Sequence, residues 1–156
     1  RRIVTAGNAI GNHSYHHEKS LCLKRGKTVA RDIEMTRQAI YECTGLEPKL
    51  FRPPHGFRTP WLMRTVRNLG YTVVTWDNMT SDWDAEKSGE EIIQAILGHA
   101  RPGGVIVLHD GRDTRLKYDR SQMLQALPFV IETLMERGFE FATIPELLES
   151  QQGLSA

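Results

Sequence analysis

The chain has 156 residues, 40% hydrophobic and 25% charged, which is one domain's worth and too apolar for a disordered segment. Its formal net charge is +1, with Lys and Arg interspersed among Asp and Glu, so the basic stripe of a nucleic-acid binder is missing. No stretch approaches the ~18 consecutive apolar residues of a membrane-spanning helix, and Cys22 and Cys43 make neither a metal-binding spacing nor a disulfide framework.

The opening Arg1-Arg2-Ile3-Val4 is not a basic region followed by an apolar stretch, so it does not read as a secretory leader. Val29, Ile33 and Ile40 recur at helical spacing, and Gly45 can end that helix in a left-handed conformation. Residues 49–51 read as a short strand stopped by Pro53-Pro54. Thr59-Pro60 has the form of a cap and a first-turn proline, opening a helix that Gly70 closes. Residues 71–76 are β-branched and aromatic, hence a strand. Ser88-Gly89-Glu90-Glu91 is a capping box for a helix to about Ala100. Pro102-Gly103-Gly104 turns the chain into an apolar strand over 105–109. A helix is expected over 121–137, closed by Gly138, then a last strand over 139–142 and a final short helix capped by Thr143.

Alternating strands and helices with apolar strands argue for parallel βαβ units, an α/β fold. The distinctive polar residues, His13, Arg52, Asp82 and His109, follow strand ends, where parallel α/β folds bind ligands. His13-Ser14-Tyr15-His16-His17 puts two imidazoles four residues apart; on a helical turn, His13 and His17 would share a face and could hold one metal ion. A solvated histidine-rich loop is the competing reading. His109 emerges from a buried strand and can serve as a general acid or base, or be satisfied by nearby backbone. Arg52 beside a rigid turn can clamp a carboxylate bidentately or sit in a structural salt bridge. Asp82-Trp83 puts an acid beside a large ring, suited to orienting a histidine and walling a pocket, or to capping a helix beside a core tryptophan. Asn12-His13-Ser14 and Asn78-Met79-Thr80 match the glycosylation triplet, but both lie inside segments that read as site loops and are discounted.

Taken in order, these segments resemble the polysaccharide deacetylase family, also called carbohydrate esterase family 4 or the NodB-homology group. Residues 11–17 look like its histidine-containing second motif, Arg52-Pro53-Pro54-His55-Gly56 its third, residues 75–83 its fourth and Val107-Leu108-His109-Asp110 its fifth. The resemblance spans residues 3–148. It implies an incomplete or distorted (β/α) barrel over residues 1–150, with 151–156 as a tail. It also implies a metal-dependent hydrolase removing N-acetyl groups from N-acetylglucosamine-type polysaccharide, chitin or peptidoglycan-like. In such enzymes a metal polarises the amide carbonyl and activates water, an aspartate takes the proton and a histidine protonates the departing amine. Carried over by motif, His13 and His17 are metal ligands, His109 is the general acid, Asp82 orients it, and Arg52 positions the base. The backbone at His55 stabilises the oxyanion, and Trp83 and Val107 line the acetyl pocket. The implied metal is zinc, with cobalt, nickel or manganese as alternatives, and the substrate class places the full-length protein outside the membrane, secreted or in the cell envelope.

The family's opening Thr-Phe-Asp-Asp-Gly motif, source of the base and of the third metal ligand, is not matched: no Asp or Glu precedes His13. His55 also stands where tyrosine is common, and Met79 where aspartate is frequent. Residues 1–6 look like the tail of a helix that follows two further strands. The expectations are weak metal binding, little or no activity by this chain alone, and an open sheet edge inviting a homodimer or a complementing N-terminal segment. Three readings stay open: a deacetylase lacking its opening part, a catalytically dead homologue gripping glycan through Trp83 and Trp61, and an interaction domain with incidental histidines.

Overall fold

The computed structural model describes residues 1–84, 86–111 and 119–153. Contacts divide the chain into two compact units, Arg1–Thr75 with Thr143–Leu148, and Trp76–Ala142 with the C-terminal segment.

In the first unit a short helix α1 (Arg2–Thr5) precedes strand β1 (Gly11–Asn12), helix α2 (Lys27–Thr44), β2 (Leu50–Phe51), α3 (Pro60–Asn68) and β3 (Thr72–Val73). The strands form a parallel sheet in the order β1-β2-β3, with Asn12 opposite Phe51 and Phe51 opposite Val73. Each strand is two residues long, against the longer runs expected at 49–51 and 71–76, and Pro53, with no N–H to donate, cannot extend β2. Gly11 is small for a reason: a Cβ there would meet the Cβ and carbonyl of Leu50 at 3.3 Å. Helix α2 turns Val29 and Ile33 inward, and α3 adds Leu62, Met63 and Val66, around Phe51, Leu21 and Tyr71. Each fully buried aliphatic or aromatic side chain of this kind contributes roughly 1.5–3 kcal/mol. Gly45 closes α2 at φ 74°, its N–H donating to the Tyr41 carbonyl at 2.7 Å, as the sequence predicts. Thr59 precedes α3 but does not cap it with its side chain. Its hydroxyl donates instead to the Cys22 carbonyl at 2.7 Å, and Pro60, with no N–H to satisfy, starts the helix.

The second unit holds strand β4 (Asn78–Met79), helix α4 (Gly89–His99), strand β5 (Ile106–Val107) and helix α5 (Ser121–Glu136). β4 and β5 pair in parallel, Asn78 opposite Ile106. The Asp77 carboxylate extends this pairing by accepting from the Val105 N–H at 2.9 Å and by an ion pair with Arg101. α4 opens on the expected capping box, with Ser88 and Glu91 bonding each other's backbone. α4 and α5 pack through Ile92, Ile96, Met123, Ala126, Val130 and Leu134.

Residues 139–142 correct the sequence reading: no strand forms there. The Phe139 N–H donates back to the Leu134 carbonyl, Phe139 packs on the second core, and Phe141 is exposed. Apolar alternation alone makes no strand where no neighbouring strand takes up its backbone groups. Helix α6 (Ile144–Gly153) follows, with the Thr143 N–H and hydroxyl both donating to Glu146. It runs into the expected tail, whose last residues, 154–156, lie outside the described part. Parallel strands with flanking helices bear out the α/β class.

Candidate functional site

The first cluster is built at the end of β1. Asn12 is fully buried, its side-chain amide donating to the Ile33 carbonyl at 2.8 Å while its oxygen accepts the Ser14 N–H at 3.0 Å. An asparagine so enclosed is no glycosylation acceptor, and Asn78, its side-chain amide donating to the Ala95 carbonyl, is buried too. The segment beyond Asn12 is not the helical turn that the four-residue histidine spacing predicts. Ser14 and His17 stand at φ 64° and 53°, and the His17 N–H donates to the Ser14 hydroxyl at 2.9 Å. This tight turn, rather than helical periodicity, brings the His13 and His17 ring centroids to 4.9 Å. His55, also at positive φ, places its ring 4.7 Å from that of His17.

Among the described residues, positive φ at non-glycine positions occurs at Ser14, His17, His55 and Ser81. All four lie in the motif segments, where a left-handed residue costs roughly 1–2 kcal/mol and marks backbone held for a purpose.

His13 Nδ1 lies 2.7 Å from the Arg52 carbonyl. A carbonyl only accepts, so Nδ1 carries the proton and the lone pair sits on Nε2, the arrangement found in metal-ligating histidines. Among the described residues no three His, Cys, Asp or Glu side chains are placed to hold a metal, whereas zinc sites usually offer at least three protein ligands.

Arg52 joins β1 to this cluster, its N–H donating to the Asn12 carbonyl at 2.9 Å. Its guanidinium is half-buried, and Nε is buried with no hydrogen-bond partner among the described residues. Burial holds its pKa below the ordinary arginine value. The structural salt bridge that the sequence left open does not form among these residues. Trp61, weighed as a glycan contact, is engaged elsewhere: its indole N–H donates to the Cys22 carbonyl and Arg25 stacks on its ring at 4.7 Å.

The second cluster follows β5. His109 Nδ1 lies 2.9 Å from one oxygen of Asp82, and the His109 backbone N–H donates to the other at 2.6 Å. Thr80 donates its hydroxyl to the same carboxylate at 2.9 Å. Burial is the largest single influence on the Asp82 carboxyl and pushes its pKa up, but these hydrogen bonds together outweigh it and hold the group below the usual range. An ionised carboxylate only accepts, so Nδ1 of His109 carries the proton in this contact. The Trp83 ring stands edge-on to His109 at 5.1 Å, and Val107 is buried in β5.

Two contributors escaped the sequence reading. Arg120, buried before α5, donates to the Asp82 carbonyl at 2.8 Å and braces the Asp82 turn; no local pattern announces it. Asp32 accepts from the backbone of Tyr15 and His16 and from the His16 ring. It was detectable as an acid on the apolar stripe between Val29 and Ile33.

A family model described as polysaccharide deacetylase matches residues 1–74. The chain is 34% identical over 152 residues to a chitooligosaccharide deacetylase of Azorhizobium caulinodans, covering 93% of this chain and 71% of that one. The chain belongs to the polysaccharide deacetylase family. Another relative, a peptidoglycan-N-acetylglucosamine deacetylase of Bacillus cereus, is 31% identical, with 95% of this chain and 67% of that protein covered. The fold matches a carbohydrate esterase family 4 domain of a multidomain xylanase from the hindgut metagenome of Trinervitermes trinervoides. That match has a TM-score of 0.84 at 29% identity and covers 97% of this chain and 68% of the other. This polysaccharide deacetylase chain thus has hydrolases of acetylated glycans as its named relatives, as the four ordered motifs imply.

Proposed function

We propose that this chain carries part of the active site of a metal-dependent hydrolase that removes N-acetyl groups from N-acetylglucosamine-type polysaccharide. The observation that carries the proposal is the Asp82–His109 pair, a buried carboxylate fixing an imidazole by ring and backbone together. In the reaction, water adds to the amide carbonyl carbon, the C–N bond breaks, and acetate and a free amine leave. His109 delivers a proton from Nε2 to the departing amine, and Asp82 stabilises the charged and neutral forms of the ring in one orientation. His13 and His17 would hold a divalent ion, zinc first and cobalt, nickel or manganese as alternatives; bound there, it supplies Lewis-acid polarisation of the carbonyl. The half-buried Arg52 guanidinium suits a carboxylate, which would be the base that takes the water's proton. The backbone at His55 serves the oxyanion, while Trp83 and Val107 form an apolar wall worth roughly 1–3 kcal/mol per methylene-sized group in favour of acetyl.

The base and the third metal ligand are the parts that the residues described here do not provide. A complementing N-terminal segment carrying a Thr-Phe-Asp-Asp-type strand is the source proposed for both. The test measures acetate released from N-acetylglucosamine oligomers in the presence of zinc or cobalt. The chain alone is expected to release little or none. With the complementing segment supplied in cis or in trans, turnover is expected to appear and to fall about 10²–10⁴-fold in His109→Ala. Robust turnover by the chain alone refutes the inactivity, and oligosaccharide binding without turnover in the complemented form favours a glycan-binding homologue. The absence of a third ligand among the described residues is the observation that keeps that second reading in play.

A further inference from the structure

We infer that Asp32 is a positioning residue for the metal-ligand turn, and that it sets which of three neighbouring imidazoles act as donors. The inference rests on the reading of His13 and His17 as ligands. Asp32 sits on α2 next to Ile33 and is 8% exposed, on the helix face that otherwise buries Val29 and Ile33. A carboxylate there is costly unless its oxygens are satisfied. Each of its three donors comes from the turn between the two ligands: the Tyr15 N–H at 2.9 Å, the His16 N–H at 3.3 Å and His16 Nδ1 at 2.7 Å. Two successive backbone N–H groups converging on one anion form a nest. Here the nest follows the left-handed Ser14 and precedes the left-handed His17.

The same carboxylate separates the histidines. Residues 13, 16 and 17 all carry imidazoles, and any two could compete for one ion. His16 is drawn into the Asp32 pair, with its ring against Tyr15 at 5.1 Å, while the His13 and His17 rings meet each other. Asn12 holds the near end of the turn by accepting the Ser14 N–H, and the Ser14 hydroxyl holds the far end by accepting the His17 N–H, so Asp32 governs its middle.

The test follows histidine ring signals by NMR as Co²⁺ is titrated into the full chain, alongside amide hydrogen exchange. In the wild type, Co²⁺ is expected to perturb His13 and His17 first and His16 later. In Asp32→Asn the Tyr15 and His16 amides are expected to exchange faster. Co²⁺ affinity is expected to fall about 10–100-fold, and the His16 ring to respond together with His13 and His17. Asp32→Glu, which restores the charge, is expected to recover part of the affinity. Leu62→Val loosens the same core without a hydrogen bond to the turn, and is expected to lower the thermal midpoint while leaving Co²⁺ affinity unchanged. Unchanged affinity and exchange in Asp32→Asn, with a normal wild-type response, overturns the positioning role alone. An equal loss in Leu62→Val overturns it too, by reducing the effect to general loosening. A wild-type chain whose His13 and His17 signals stay unmoved at millimolar Co²⁺ overturns the ligand reading, and this inference with it.

Discussion

Asp82 shows how a single side chain can be both buried and charged. Its oxygens accept the His109 ring, the His109 N–H and the Thr80 hydroxyl, and the group is 4% exposed. Because its folded-state pKa lies below the ordinary value, the stability that it contributes is present above the unfolded carboxylate range. That contribution is lost as pH falls through the folded value. Asp82→Asn is therefore expected to lower stability near neutrality by about 1–3 kcal/mol, the cost of leaving a buried donor unsatisfied. The gap to wild type is expected to narrow as pH drops below about 4, read as the difference between two thermal-midpoint curves against pH. His109 was legible in the sequence because it follows the apolar run 105–108, and Asp82 because it stands beside the large ring of Trp83. Arg120 was not, since no local pattern announces a partner 38 residues away. Asp32 showed only as an acid on an apolar stripe, with nothing to say that its partner lies 16 residues away.

The helices were easier to read than the strands. α2 and α4 carry their start or stop chemistry within a few residues, so Gly45 and the Ser88–Glu91 box were visible in the chain. Removing the box with Ser88→Ala is expected to cost about 1 kcal/mol. Gly45→Ala, which forces a Cβ into the left-handed region, is expected to cost roughly 1–2 kcal/mol. Urea denaturation of each variant, at unchanged m-value, checks both. Strands need a partner, and local sequence does not say where it is. Residues 71–76 and 105–109 each shortened to a two-residue ladder, and 139–142 found none. The histidine turn failed in a related way: a four-residue spacing suits a helix, yet the hydrogen bonds of Ser14 and Asp32 make a left-handed turn instead.

Among the described residues one apolar core forms around Phe51 and another between α4 and α5, and neither includes His13 or His17. Metal removal is therefore expected to leave far-ultraviolet circular dichroism unchanged. Added zinc or cobalt should raise the thermal midpoint with concentration, by the equivalent of about 2.7 kcal/mol at a hundred times Kd. His13→Ala and His17→Ala should abolish the rise, as thermal melts at several metal concentrations would show. The amino-acid sequence by itself determined the family, the α/β class and the order of the chemical residues. Those depend on residue types at strand ends, which are local and keep their order along the chain. Only the tertiary structure decided that the two candidate ligands meet through a strained turn, that Asp82 grips His109 at both ring and backbone, and that Arg52 has no carboxylate beside it among the described residues. Those facts depend on hydrogen bonds and burial between segments far apart in the chain, and no local pattern of side chains encodes such partners.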